Sequence, residues 1–193
     1  MVYSIVMVIS MMGAYLIITT KELTVLRQFI ALEIRAKINL QIIAVIDGHD
    51  GMGQLISHFA MEKAIEKAKK TGVGFVSVRN SNHFGIAGYY AEMASKQGLL
   101  GMACTNSEAI MVPTFGRKAM LGSNPIAVAM PAEPYPFLFD CSTTVVTRGK
   151  LEMYNKSGKQ LPEGWALGAD GHESTDAPAV LANIVGKKGG GIM

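Results

Sequence analysis

The residues best equipped for chemistry in this chain lie in the string "RNSNHFGIAGYY", Arg79 to Tyr90. His83 is one of four histidines and stands between small polar residues and a stretch of helical character. Imidazole changes protonation closest to neutrality, so a histidine at a strand–helix junction can take or give the proton of a substrate hydroxyl. Neutral imidazole is the competent base for oxidising an alcohol, and a helix N-terminus beside the ring suits that form. A lone histidine also serves as a packed or solvated residue, and its immediate string does not separate these roles. Gly85 and Gly88 allow another segment or a ligand to come close, but tight packing explains them as well.

Three further strings place hydroxyls, an amide and an acid where apolar runs begin or end. They are "TNS" (Thr105–Ser107), "GSNP" (Gly122–Pro125) and "DCSTT" (Asp140–Thr144). Strand ends of this kind carry ligand-binding groups in α/β proteins. The same residue types make ordinary turns.

Other chemistries find no support. His49, His58, His83 and His172 form no pair at zinc-ligand spacing, and Cys104 and Cys141 stand apart, so no metal site is expected. No G-x-S-x-G nucleophile elbow is present. "GMGQLI" and "GVGFVS" lack the third glycine of the dinucleotide fingerprint, and there is no P-loop.

The elements that must position these residues alternate. "IIAVIDG" (Ile42–Gly48) is expected to be a buried strand and "GHDGMG" a loop. Gln54–Lys70 is a helix by the return of Ile56, Ala60, Ala64 and Ala68 to one face. "GVGFVSVRNS" is a strand, and a second helix runs from Phe84 or Gly85 to Gln97. "LLGMACTNS", "PIAVAMPA" and "FLFDCST" are three more strands. From Arg148 onward polar loops and a Gly-rich end are expected.

At 193 residues, with 49% hydrophobic and 17% charged side chains, the chain can bury a core. A net charge of +3, with its lysines and arginines scattered, gives no nucleic-acid surface. Two cysteines make no disulfide framework, which points to the cytoplasm. Val2–Ile18 is uncharged but short for a spanning helix, so a membrane role is not favoured. Thr20–Leu40 can be helical.

Taken together, "SVRNSNHFGIAGYY", "GMACTNS", "VPTFG", "LGSNPIAVAMPA", "FLFDCSTTVV", "GKLEMYNKSGKQLPEGWAL" and "STD" resemble the malate/L-lactate dehydrogenase family of NAD(P)-dependent oxidoreductases. That family includes ureidoglycolate and sulfolactate dehydrogenases and is unrelated to the Rossmann-type enzymes. The likeness runs from about Val45 to the C-terminus. It implies a mixed-sheet α/β fold of α+β type, not a classical Rossmann fold, and a homodimer. It implies hydride transfer between NAD or NADP and a small 2-hydroxy or 2-oxo acid, with His83 as acid/base. By the same resemblance Ser107, Asp140, Cys141 and Ser142 contact the dinucleotide.

The chain departs from the family pattern at both ends. Residues 1–40 are expected to form an atypical apolar and helical segment in place of the family's Ser-His-Gly string and substrate arginine. Residues 41–193 are expected to form an incomplete NAD(P)-binding catalytic domain that stops before a further cofactor lysine, for which Lys187 and Lys188 are not substitutes. A truncated member is the expectation, with a catalytically silent chain that binds only nucleotide or a partner as the alternative. Apolar strands left without cover would make such a chain self-associate.

Overall fold

The computed structural model describes residues 5–12 and 36–193, with side chains from Leu40 onward. The chain forms two compact units. The first comprises residues 1–105 and 125–141, the second residues 106–124 and 142–193.

The first unit is built on a seven-stranded sheet. Its strands are β1 (Ile5–Met12), β2 (Ala36–Asn39), β3 (Ile43–Gly51), β4 (Val73–Ser81), β5 (Leu100–Asn106), β6 (Ile126–Met130) and β7 (Phe137–Cys141). Their spatial order is β2-β3-β4-β1-β5-β6-β7. β1 and β3 both run parallel to β4, with Val8 opposite Val76 and Ile46 opposite Val78. β2 is antiparallel to β3, and β6 is antiparallel to β5 and to β7. The sheet is mixed, as expected of an α/β protein outside the classical Rossmann class.

Part of the apolar N-terminal run is therefore a sheet strand. An uninterrupted apolar sequence such as "IVMVISMM" suits an interior strand flanked on both sides. The helical reading of Thr20–Leu40 lies mostly outside the described residues, and where the chain is described, at Ala36–Asn39, it is a strand. No helix among the described residues is long and apolar enough to cross a membrane. "GHDGMG" is also less of a loop than expected, because β3 runs on to Gly51.

Among the described residues, two helices cover this sheet, α1 (Gly53–Thr71) and α2 (Ala87–Ser95). α1 buries Ile56, Ala60, Ala64 and Ala68, the face read from the sequence. It ends where Gly72, at φ +86°, gives its N–H to Ala68 O at 2.8 Å. The helices lie very close to the strands. A Cβ at Gly74 would collide with the carbonyl of Ala64, and one at Gly101 with that of Ala91. Ile46, Ile56, Met61, Val76 and Val78 are fully buried between helix and sheet. Each contributes about 1.5–3 kcal/mol through the apolar surface it removes from water.

The second unit holds α3 (Arg148–Lys156), α4 (Ala177–Gly186) and a two-stranded sheet of β8 (Ala166–Leu167) and β9 (Gly191–Ile192). Here the expectation of loops after Arg148 is corrected. Both helices are short and start on side-chain caps. Thr147 accepts from Lys150 N–H at 3.3 Å, and Asp176 accepts from Ala179 N–H at 3.1 Å. α3 buries only Leu151, so its sequence shows almost no apolar period. Leu151, Leu161, Val180, Ile184 and Ile192 form a core of their own, edged by the Tyr154–Trp165 ring pair at 5.1 Å.

Candidate functional site

The C-terminal ends of the parallel strands β3 and β4 are bound together by their own side chains and by Asn82, the residue after β4. Asp47 is buried at the end of β3. Its Oδ2 accepts from Arg79 Nη2 at 3.0 Å, and its Oδ1 accepts from Asn80 Nδ2 at 2.9 Å and from His49 N–H at 3.2 Å. Asn82 Nδ2 donates to the carbonyls of Asp50 (2.6 Å) and Gly51 (3.0 Å). A Cβ at Gly53, the first residue of α1, would collide with the carbonyls of Asn82 and His83. His49, Asp50 and Asn80 hold φ values of +48°, +56° and +50°. Histidine, aspartate and asparagine are the non-glycine types that best tolerate this left-handed region. The two strand ends are thus held in one unusual conformation, and His83 follows closely on it.

His83 is exposed, two residues beyond the end of β4. Its Nδ1 accepts the N–H of Gly85 at 3.1 Å, so in the neutral ring the proton sits on Nε2. Gly85 has φ +82°, and α2 begins only at Ala87. The helix therefore starts later than expected, and the N–H nearest the imidazole belongs to the glycine turn. Phe84 is buried behind His83, and its carbonyl accepts the hydroxyl of Tyr90. The two rings stack at 5.2 Å. Burial, with a smaller contribution from Tyr89, pushes the Tyr90 hydroxyl far above the usual phenol range, so it remains a donor at any working pH. A cleft of about 650 Å³ opens beside this turn, lined by Gln54, His58, Phe84, Ile86, Tyr89 and Tyr90 among others.

Asp140, near the end of β7, reaches α2. Its Oδ2 accepts from Gly88 N–H at 2.7 Å, and a Cβ at position 88 would fall 2.7 Å from the same oxygen. A carboxylate is well placed on the unpaired N–H groups of a helix start. His83 and Asp140 therefore flank the same helix N-terminus. Cys141 follows Asp140 and is exposed.

In the second unit Ser107 and Ser142 meet through one residue. Ser107 Oγ accepts from Ser123 N–H at 2.8 Å, and Ser142 Oγ donates to Ser123 O at 3.0 Å. Ser107 N–H donates to Asn124 Oδ1 at 3.0 Å. A Cβ at Gly122 would overlap Ser107 Oγ, which is why "GSNP" begins with glycine. The same unit contains a smaller hollow of about 220 Å³ lined by Glu108, Lys118, Asn183, Lys187, Gly189 and Gly190 among others. Gly189 and Gly190 stand at φ +99° and +65°, and a Cβ at Gly190 would strike the carbonyls of Leu167 and Gly168. Among the described residues no three His, Cys, Asp or Glu side chains gather as ligands of a metal ion would.

The family model for malate/L-lactate dehydrogenases matches residues 26–193. The chain belongs to the malate/L-lactate dehydrogenase family. This dehydrogenase-family chain is 53% identical over 128 residues to a malate dehydrogenase of Pyrococcus abyssi, covering 66% of this chain and 35% of that one. It is 44% identical over 153 residues to an L-sulfolactate dehydrogenase of Methanocaldococcus jannaschii, covering 77% and 44%. A (2R)-3-sulfolactate dehydrogenase (NADP(+)) of Chromohalobacter salexigens is 36% identical over 138 residues, covering 71% and 41%. Among solved structures, the malate dehydrogenase of Entamoeba histolytica superposes with a TM-score of 0.77 at 36% identity, over 82% of this chain and 44% of that one. The dehydrogenase-family chain thus spans less than half the length of the relatives it matches.

Of the residues singled out from the sequence of this dehydrogenase-family chain, the structure places His83 and Asp140 about one helix start, and joins Ser107 to Ser142 through Ser123. Asp47, Arg79, Asn82 and Lys118 were not singled out, and Ser123 stood only within "GSNP". The signal for the first three was local: "DGHD" and "RNSN" are rich in residues that accept positive φ, and two such strings at parallel strand ends can brace each other.

Proposed function

We propose that this chain catalyses reversible hydride transfer between a small 2-hydroxy acid and NAD or NADP, with His83 handling the proton of the substrate's 2-oxygen. The observation that carries this reading is the bracing of His83 at a parallel strand end, with Nδ1 engaged by Gly85 N–H. Nε2 is then the atom for proton exchange.

In the arrangement described, Nε2 bears the proton and can hydrogen-bond a 2-oxo oxygen. Oxidation needs the other tautomer, in which Nε2 accepts the substrate O–H proton while Nδ1 carries its own. The Gly85 contact must therefore open during turnover. Nicotinamide, when bound, supplies the hydride acceptor. The residues present suit such a cofactor. The Ser107–Ser123–Ser142 network offers hydroxyls and backbone groups for sugar and amide contacts. Lys118, Glu108 and the glycine turn at 189–190 line a hollow suited to a polar group. Asp140 and Cys141 are assigned to the cofactor by the family resemblance alone, and in this chain Asp140 also fixes the start of α2. The same resemblance supports a homodimer, and the sparse cysteines suit the cytoplasm.

The test is an absorbance assay for NAD(P)H with malate, lactate and sulfolactate, each offered with NAD and with NADP. Turnover above background with at least one pair is the expected result. No turnover from a folded chain that still binds the cofactor would favour the catalytically silent reading.

A further inference from the structure

We propose that the cleft between α1 and the Gly85 turn receives the side group of the 2-hydroxy acid, and that it selects a bulky uncharged group, an aryl group above all. The reacting end of the acid is taken from the dehydrogenase reading above, on which the proposal rests, while the preference is read from the walls of the cleft. Gly85 joins the two. Its N–H lies 3.1 Å from His83 Nδ1, and the same residue lines the cleft. The imidazole that handles the 2-oxygen thus stands at the rim, and the carbons beyond that oxygen are the part of the acid that can enter. Size is the first constraint. The cleft measures about 650 Å³. Pockets of roughly 300–1,000 Å³ hold drug-sized ligands, so the methyl group of lactate would leave most of it unfilled.

Charge is the second. Malate and sulfolactate carry another anion in the side group, and among the described residues no lysine or arginine lines the cleft. Lys63, on the same helix, is turned to Glu66 at 3.0 Å and lies over the Phe59 ring. His58 does line it, but Nδ1 is 3.2 Å from the Tyr89 hydroxyl and Nε2 is 3.5 Å from Glu62 Oε1. Any positive charge on this imidazole is already faced by a carboxylate. An anionic side group would lose water there and gain no partner, which is costly. The walls suit a flat apolar group instead. Phe84 and Tyr90 stack at 5.2 Å, Tyr89 meets Tyr90 edge-on at 5.2 Å, and His58 stacks on Tyr89 at 6.0 Å. Such a set takes a further ring in edge-to-face or offset contact. It is fixed from behind, where the Tyr90 hydroxyl donates to the Phe84 carbonyl. At the rim Ile86 is 73% exposed and Tyr89 51%, which leaves apolar surface for an entering side group to cover.

The test is calorimetric binding of 3-phenyllactate, lactate and malate to the 193-residue chain with NAD or NADP present, followed by turnover of the same acids. One methylene in an apolar pocket is worth roughly 10- to 200-fold, so 3-phenyllactate should bind at least about tenfold more tightly than lactate, and malate no better than lactate. Tyr89→Ala removes one wall at a half-exposed position. It should erase most of the preference for the phenyl group and leave lactate binding and the melting temperature close to those of the parent. Ile86→Arg puts a cation on the open rim and should move the affinity ratio toward malate by roughly tenfold or more. If Tyr89→Ala does not fold, Ile86→Arg decides. Equal affinity for 3-phenyllactate and lactate, a preference for malate, no binding of any of the three by the folded parent, or a phenyl preference that both variants keep would overturn the proposal. The preference without NAD(P)H production would sink the dehydrogenase reading and leave this one. NAD(P)H formed with equal kcat/KM from 3-phenyllactate and lactate would do the reverse.

Discussion

Tyr90 ties α2 to the turn that carries His83, and its hydroxyl is the means. Tyr90→Phe leaves the Phe84 carbonyl without its donor in a buried place, at a cost of about 1–3 kcal/mol. The expected result is a lower denaturation midpoint and a loss of turnover larger than the loss of cofactor binding. Unchanged stability would show that the bond contributes nothing. Asn82 acts on the same turn from the other side, and Asn82→Ala should reduce kcat by loosening His83 while the sheet amides keep their hydrogen-exchange protection. The cysteines give a pH test. Burial pushes the Cys104 thiol above the usual range, whereas Cys141 is exposed. The thiolate is the reactive form, so iodoacetamide should label Cys141 first at neutral pH, and Cys104 only as the pH is raised well beyond the ordinary thiol range. Equal labelling at neutral pH would contradict this. At this scale the sequence points to His83 because histidine is rare and the string is distinctive. It hides Asp47 and Arg79, because a parallel ladder sets side by side residues 32 positions apart in the chain.

The second helix shows how one element is placed by a distant acid. Asp140 in β7 sits on the first turn of α2, and Gly88 leaves just enough room for it. Gly88→Ala would drive the carboxylate off its N–H. The expected effect is about 1–3 kcal/mol of destabilisation, although alanine is the better helix former. A variant more stable than the parent would show that Asp140 is not held there. The strands and α1 were legible because each carries a run or a face of apolar residues. α3 and α4 were not, because nine- and ten-residue helices that bury one to three side chains leave too little period to read, and their starts depend on the caps Thr147 and Asp176. The same limit hid β1, whose unbroken apolar run reads as a strand, a buried helix or part of a membrane segment until its neighbours in the sheet are known.

At the scale of the whole chain, each unit has its own core. Leu151 is fully buried in the second, and Leu151→Ala should cost about 2–5 kcal/mol in a denaturant titration. β7 is an edge strand whose five residues are all exposed, and Phe137, Leu138 and Phe139 are each about half accessible. Such an edge invites pairing with other chains. The chain should therefore associate as its concentration rises, and Leu138→Lys should reduce the association seen by light scattering. A parent that stays monomeric at high concentration would contradict this. The account as a whole depends on His83, and the most direct measurement is the rate of NAD(P)H formation by parent and His83→Ala with the best acid found. General acid–base groups supply about 10² to 10⁴ in rate. The predicted result is a fall in kcat within that range while NAD(P) binding is retained. A variant that turns over at the parent's rate, or one whose only defect is lost cofactor binding, would contradict the role given to His83.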